Sequence, residues 1–465
     1  MQEYFLGIDV GSTAVKVAVI SKGASLYQNS GKLMTYHRST GARYQYAQEI
    51  LQVIEDLILD VPPDFRKKVS AISFSVAMHS VMPVVGGALQ EVFLWSDQQA
   101  TQAINQVPQE IAEKFYRQSG TPIHPMSPFA KILYFQQTQS YPAATCWWGL
   151  KELLMLHFTG EVAIDVATAS ATGMCALATG DWDAEILDYL GISRQQLVPI
   201  VPVNQSFSLT ESCQKQYGFA QGAQVFCGGS DGCLAAYAGL ATTGIANSLA
   251  IGTSAALRYI GSEIKLDSQQ QNFCYRLTET LFVSGGPSNN GGNVLAWGRQ
   301  IFGETTADFY GELPAILAKT AIGAGGVKFY PFLSGERAPY WDAKLTGGFQ
   351  QLRITTKRRD MIRSLLEGML LNLRTLKPTI IGNGPVALSG GFFETPELAQ
   401  LAVDILGNPA VLAKENEPIF GLYYLLYGKE DTVTAPKPQQ MILPNPKARI
   451  AYELLHQHYF ADLED

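Results

Sequence analysis

Two apolar runs open the chain. Phe5-Leu6-Gly7-Ile8 and Ala14-Val15-Lys16-Val17-Ala18-Val19-Ile20 are rich in β-formers and predict two strands. Asp9-Val10-Gly11-Ser12-Thr13 lies between them. β-Branched residues follow this turn, so it reads as strand-turn-strand, not as a glycine-rich loop running into a helix. The pattern returns mid-chain, where Ser248-Leu249-Ala250-Ile251 meets Gly252-Thr253-Ser254 and then Ala255-Ala256-Leu257-Arg258. Val225-Phe226-Cys227 predicts a strand that passes through Gly228-Gly229-Ser230-Asp231-Gly232 into a helix over 233–239. Ala387-Leu388-Ser389 enters Gly390-Gly391-Phe392 and then an amphipathic helix over 397–406. A further strand is expected over 71–76. Strands and helices alternate throughout, so the fold class is α/β. The repeated hairpin suggests two similar halves facing one ligand.

The turns carry the candidate chemistry. In the first hairpin the N–H groups of residues 11–13 and the hydroxyls of Ser12 and Thr13 can form a small anion nest, with Lys16 adding a positive charge. Asp9 would repel a phosphate unless a cation stood between them, and Mg²⁺ binds through one or two carboxylates plus phosphate oxygens. An ordinary hairpin remains the other reading. Asp231, at a strand end ringed by glycines, suits a base that takes a proton from an alcohol; a helix-capping Asp is the alternative. The Gly390-Gly391 turn could let a flat base lie against backbone, or could be a helix-strand packing glycine.

Composition narrows the classes. With 465 residues, two or three domains are expected. Charged residues are 16% of the chain and the net charge is −7, which argues against a nucleic-acid partner. No run of 18 apolar residues occurs and Met1-Gln2-Glu3 has no basic character, so neither a membrane span nor a signal peptide is expected. Six cysteines without C-x-x-C spacing read as free thiols in a reducing cytoplasm, not as a zinc site.

Taken in order, "GIDVGSTAVK", "SFSVAMHSVMPV", "GTPIHPMSPFAKI", "GGSDG", "IGTSAALR", "SGGPSNNGGNVL", "FYPFLSGERAPYWD" and "LSGGFFETPELAQLAVDILG" resemble the FGGY carbohydrate kinases of the actin/hexokinase/Hsp70 superfamily. "AMHSVMP" and "SGGPSNNGGNVL" are most similar to the gluconate kinase branch. The resemblance implies two ribonuclease-H-like domains, each with a mixed five-stranded sheet, flanking a cleft. The boundary is expected near Gly244, giving 1–244 for sugar, first phosphate hairpin and catalytic Asp, and 245–465 for second phosphate hairpin and adenosine. ATP and Mg²⁺ are the implied cofactors.

By the same resemblance, Asp231 is the catalytic base and Asp9 the Mg²⁺-holding acid. Gly11, Ser12, Thr13 and Lys16 meet phosphate, as do Gly252, Thr253 and Gly292. Gly391, Phe392 and Thr395 take adenosine. Met78, His79, Trp95, Asp97 and Lys131 line the sugar pocket with Asp231. The implied reaction is ATP plus D-gluconate; xylulose, another ketose or a polyol is the alternative substrate, and an actin-like nucleotide switch without catalysis is the alternative class. The expected partner is a small sugar or sugar acid, with no nucleic acid and no membrane, and a homodimer is left open. Departures from the family pattern touch the sugar: Gln99 stands where arginine is usual and Tyr134 where tryptophan is. Gln351 and Thr346 also depart, at positions usually glycine and arginine. Lys131 and His79 are therefore the candidate partners of a sugar carboxylate, with backbone N–H groups a third possibility. His124 is read as a turn histidine, Asp181-Trp182-Asp183 as a hairpin turn and Lys357-Arg358-Arg359 as solvated surface. Glu336-Arg337 is read as a buried ion pair or a substrate contact.

Overall fold

The computed structural model describes residues 4–303, 306–413, 417–428 and 440–463. Its first sheet contains β1 (Tyr4–Val10), β2 (Ala14–Ser21), β3 (Ala24–Lys32), β4 (Val69–Val76), β5 (Ser206–Ser208) and β6 (Gln224–Ser230), ordered β5-β6-β4-β1-β2-β3. The second holds β7 (Asn247–Ile251), β8 (Ala255–Gly261), β9 (Phe273–Arg276), β10 (Phe282–Ser288), β11 (Val386–Ser389) and β12 (Ala410–Leu412), ordered β9-β10-β8-β7-β11-β12. In each, an antiparallel hairpin is continued on its other side by two parallel strands. The sheets are thus six-stranded, not five-stranded as expected. The additions are β5, antiparallel to β6, and β9, antiparallel to β10, on opposite edges of the common pattern. An added strand pairs backbone groups that an edge would leave open. Ser206-Phe207-Ser208 is too short and too polar to announce itself.

Helices α1 (Ala47–Asp60), α2 (Pro128–Gln137), α3 (Leu150–Thr159), α4 (Asp231–Thr243), α5 (Gly292–Phe302), α6 (Arg358–Thr375), α7 (Pro396–Leu406) and α8 (Pro418–Tyr427) position the site. One face of the first sheet places Leu6, Ile8, Val10, Val17 and Val19 in a core with Ile50, Ile54, Leu153 and Leu154 from α1 and α3. The other face, with Phe5, Ala18, Ile20 and Ala71, packs on Ile419 and Leu422 of α8. A helix from the C-terminal part of the chain therefore covers the first sheet, so a cut near Gly244 does not separate the layers cleanly. In the second half α6 is buried along most of its length against the sheet.

Between β4 and β5 the chain builds a separate cluster around Phe129, Ile132, Trp147 and Trp182. Asp183 there caps a helix by accepting from the N–H groups of Glu185 and Ile186, and Asp181 pairs with Arg194. The expected hairpin is formed: Trp182 bridges Cys175 in antiparallel fashion, flanked by the Ala176 N–H donating to the Asp181 carbonyl (2.8 Å) and the Asp183 N–H donating to the Met174 carbonyl (2.9 Å). Arg358 is more than solvated surface, since its guanidinium holds Glu312 and the Phe302 carbonyl. Among the described residues no helix is long and apolar enough to cross a membrane.

Candidate active site

β1 ends in the first hairpin, and register places Asp9 between Lys16 of β2 and Ser75 of β4. The Ser75 hydroxyl donates to Asp9 Oδ1 at 2.6 Å. Burial pushes the Asp9 carboxyl up to about 7, with the Asp231 charge adding to the rise and the Ser75 bond opposing it. Gly11 N–H closes the turn on the Ala14 carbonyl at 3.0 Å, which leaves Thr13 exposed. Lys16 is half-exposed and pairs with Glu417, 3.1 Å away.

Asp231 follows β6 directly and opens α4. It does not cap the helix: Ser230 holds the cap position, and Asp231 Oδ1 accepts from the N–H groups of Gly232 (2.7 Å) and Met78 (3.4 Å). Burial raises its pKa, against the pull of the Gly232 bond and the Arg258 charge. The strand end is held by groups that local patterns did not reveal. Gly228 has φ +82°, and a Cβ there would stand 2.1 Å from the Phe74 carbonyl oxygen. Beneath it the fully buried Lys151 ammonium donates to the carbonyls of Phe74 (2.6 Å), Cys227 and Gly229, and pairs with buried Asp165 at 3.3 Å. This cation ties β4 to the irregular end of β6, the stretch that presents Asp231. The lone lysine among the buried leucines of α3 was the available signal.

The second hairpin is built from backbone. Gly252 N–H meets the Ser254 carbonyl at 2.9 Å, and the N–H groups of Gly292 and Asn293 at the start of α5 donate to Gly252 (2.7 Å) and Thr253 (3.0 Å). A Cβ on Gly292 would lie 2.6 Å from the Gly252 oxygen. Gly390, at φ +102°, approaches Ile251 so closely that a Cβ would lie 2.2 Å from its carbonyl oxygen. Around these contacts opens a cavity of about 520 Å³ lined by Gly252, Thr253, Gly292, Gly391, Phe392 and Thr395, together with Ile251, Asn293, Leu295, Ala296, Tyr310, Glu394 and Leu398. Six residues expected at the nucleotide thus line one cavity.

The sugar-pocket candidates divide. Met78 and His79 follow β4, and His79 adopts φ +68°. The His79 ring nitrogen Nδ1 lies 2.7 Å from the Ala171 carbonyl, and burial with the nearby Lys131 charge holds its pKa down to about 3. The ring is neutral, with Nδ1–H as the donor. Trp95 Nε1–H points at Ser12 Oγ, 3.4 Å away. Lys131 and Asp97 correct the expectation of direct sugar contact. The Lys131 ammonium is fully buried and donates to the carbonyls of His79 (3.1 Å) and Met126. Asp97 is also fully buried, and its two oxygens accept the N–H groups of Arg43 (2.9 Å) and Gln99 (3.1 Å). Both hold loops in place. His124 accepts from Met126 N–H at 3.2 Å, as a turn histidine would, and its ring meets Trp341 edge-on at 5.6 Å.

The second half contributes residues that the motifs did not assign. Arg337 sets its guanidinium carbon 5.0 Å from the Trp95 ring centroid. Tyr275 stands edge-on to His79 at 6.0 Å. Arg258 Nη2 would be 3.3 Å from a Cβ on Gly232, next to Asp231. Glu336 forms no ion pair with Arg337. Its oxygens accept from Ser288 (2.7 Å), Asn289 N–H (2.8 Å), Asn290 (3.2 Å), Asn372 (2.8 Å) and the Arg337 N–H (2.8 Å). An arginine in the otherwise apolar run after Gly252-Thr253-Ser254 was the legible hint for Arg258.

Comparison with known proteins identifies the family. Residues 4–238 match the N-terminal domain, and 247–425 the C-terminal domain, of the FGGY family of carbohydrate kinases. A gluconokinase of Bacillus subtilis (strain 168) is 33% identical over 464 residues, covering 94% of this chain and 90% of the relative. The crystal structure of gluconate kinase from Lactobacillus acidophilus superposes with a TM-score of 0.92 at 28% identity, covering 100% of this chain and 98% of that one. A ligand-bound xylulose kinase from the same organism gives the same score and identity, covering 99% and 98%.

Proposed function

The chain belongs to the FGGY family of carbohydrate kinases, and from that premise we propose that it transfers the γ-phosphoryl group of ATP to the terminal hydroxyl of D-gluconate, giving 6-phosphogluconate and ADP. The structural likeness is equal for a gluconate kinase and a xylulose kinase. The observation that carries the choice is the one-third identity to a gluconokinase across nearly the whole chain.

Asp231 acts as the base. The sugar oxygen bonds to the γ-phosphorus as the bond from that phosphorus to the β,γ-bridging oxygen breaks, the hydroxyl proton passes to Asp231, and ADP departs. The Gly232 and Met78 N–H groups hold the carboxylate in place. Gly252, Thr253 and Gly292 bring backbone to the phosphates, while Gly391, Phe392 and Thr395 receive adenosine. Gly11, Ser12, Thr13 and Lys16 face the phosphates from the opposite half. Lys16 exchanges its contact with Glu417 for them.

Asp9 is the residue that would hold Mg²⁺. Its donor chemistry fits: a carboxylate poised at about 7 by burial is half-protonated at neutral pH unless a cation stands against it. No cluster of three or more His, Cys, Asp or Glu that could hold a metal ion occurs among the described residues. Water and phosphate oxygens would supply the other ligands, the usual situation for this ion. When bound, Mg²⁺ supplies positive charge to the phosphate oxygens. Closure of the halves excludes water, which otherwise competes with the sugar hydroxyl. The reaction belongs to the cytoplasm, where its substrates are found.

Coupled ADP release against gluconate, xylulose, glycerol and sorbitol tests the reading. Gluconate should be turned over fastest. Preference for xylulose would move the protein to a sister activity, and ADP release unaffected by any sugar would favour a nucleotide switch.

A further inference from the structure

Among the described residues, the sugar-pocket candidates of the first half offer no free cation for an acid sugar. Gln99 stands where the family has arginine, and its amide nitrogen donates to Thr40 (3.2 Å) and Tyr134 (3.5 Å). Lys131 spends its ammonium on two backbone carbonyls, and His79 is neutral. Gluconate nevertheless carries a carboxylate, and enclosing it without a charge-assisted donor is costly.

Two guanidinium groups of the second half stand against first-half residues expected at the sugar or next to the base. Arg258 comes from β8 and lies beside Gly232 and Met78; a Cβ on Gly232 would be 2.7 Å from Met78 Cε and 3.3 Å from Arg258 Nη2. Arg337 comes from the segment between β10 and α6 and lies over Trp95. Both have a buried Nε–H without a hydrogen-bond partner. Neither makes an ion pair within 4.0 Å among the described residues, and the one side-chain bond of Arg337 is a long 3.4 Å contact to the Ser288 carbonyl. Glu336, its sequence neighbour, is saturated by other donors. Buried polar groups are rarely left unpaired, so unpaired donors gathered on one wall need an explanation. The two arginine charges also oppose each other. The Asp231 carboxylate attracts both charges but accepts a hydrogen bond from neither, whereas a bound anion would both accept from them and relieve the repulsion.

Resting on the gluconokinase reading, we propose that Arg258 and Arg337 form the carboxylate clamp that selects acid sugars over neutral ones. The clamp comes from the half opposite most of the sugar pocket, so seating the acid end draws the two halves together while the terminal hydroxyl, at the other end of the sugar, meets Asp231. The family's missing arginine is thus replaced from across the cleft.

The test compares gluconate with sorbitol, in which a neutral hydroxymethyl replaces the carboxylate, in the parent, Arg258→Gln and Arg337→Gln. The parent should favour gluconate by roughly 100-fold or more in kcat/KM. Each variant should lose about 30-fold more on gluconate than on sorbitol, the size of one charge-assisted contact, with the extra loss mainly in KM; any effect of Arg258→Gln on the neighbouring base falls on both sugars alike. ADP affinity, read at the separate adenosine cavity, checks that each variant is folded. Equal losses on both sugars in a variant that still binds ADP would overturn the clamp in favour of a catalytic or packing role. So would an unchanged gluconate KM. In both cases the parent's preference for gluconate would stand, so the function would survive. A parent that prefers a neutral sugar removes the gluconokinase reading and the clamp together, which separates the two failures.

Discussion

The two halves use the same hairpin differently. In each, a glycine N–H closes the turn onto a carbonyl beyond it, Gly11 onto Ala14 and Gly252 onto Ser254. Two residues before the glycine, the first hairpin has Asp9 and the second has Ala250. The strand after each hairpin's parallel neighbour diverges too: β4 leads to Met78 and His79, and β11 leads to Gly390 and Gly391. The first half presents titratable side chains held by buried partners. The second presents bare backbone around a cavity. In the proposed function, one architecture thus serves proton and cation chemistry on one side and close phosphate and base contact on the other.

The comparison can be broken most severely at Asp231. Asp231→Asn should lower turnover by roughly 100-fold or more while leaving ADP affinity in place, because a general base is lost and the shape is kept. Near-parental turnover would sink the assignment. Asp9→Ala makes the first hairpin resemble the second. A loss of about 30-fold in turnover is expected, with a higher Mg²⁺ requirement, since the cation loses its protein anchor. If magnesium titration curves superimpose, the two hairpins do not differ in the way described.

A change in the second half should act on binding instead. Gly292→Ala pushes a methyl toward the Gly252 carbonyl, where no room exists. It should raise the KM for ATP by about ten-fold with kcat changed less than three-fold, because the close backbone approach is lost and the base is untouched. A kcat effect larger than the KM effect would blur the division of labour.

The smallest effect, in the apo protein, is one of stability against pH. Asp9 is raised from 3.8 to about 7 in the folded state, so the native protein binds its proton more tightly than the unfolded chain does. That contribution is favourable relative to high pH and is lost as pH rises from about 4 through 7. Asp9→Asn keeps the shape without the titration. Melting temperatures of parent and variant should agree near pH 4, and the variant should be the more stable at pH 8. Parallel curves would mean that Asp9 is not held in a desolvated site.

The parts legible in the sequence were those encoded within a few residues. The hairpins at Gly11 and Gly252, the Gly228–Gly232 turn before α4 and the glycines before α7 are local patterns, and the structure forms strands, turns and helices there. Arg258 escaped, and Arg337 was left between an ion pair and a substrate contact, because their meaning lies in what stands opposite. Their neighbours Gly232 and Trp95 are far away in the chain and come close only when the halves pack. Lys151 looked like one charge on an apolar helix, since its partners Asp165 and the Phe74, Cys227 and Gly229 carbonyls belong to three other segments. Lys131 misled for the opposite reason. A lysine at a family position suggested a sugar contact, but burial turned its ammonium toward backbone carbonyls.

The helix α8 has a consequence for how the molecule is made. It packs so closely across α4 that a Cβ on Gly421 would lie 2.2 Å from the Leu234 carbonyl oxygen, and its Ile419 fills the space over Gly7. The first sheet therefore receives its outer layer from residues near the end of the chain. During synthesis, about 170 residues separate completion of α4 from the emergence of α8, on the order of ten seconds or more at usual translation rates. Through that interval Phe5, Ala18, Ile20 and Ala71 have Leu234 of α4 but lack the Ile419 and Leu422 cover that α8 supplies. The nascent first half is an unfinished surface that waits for the last helices, and a chain ending before Pro418 should bind a hydrophobic dye that the full chain does not.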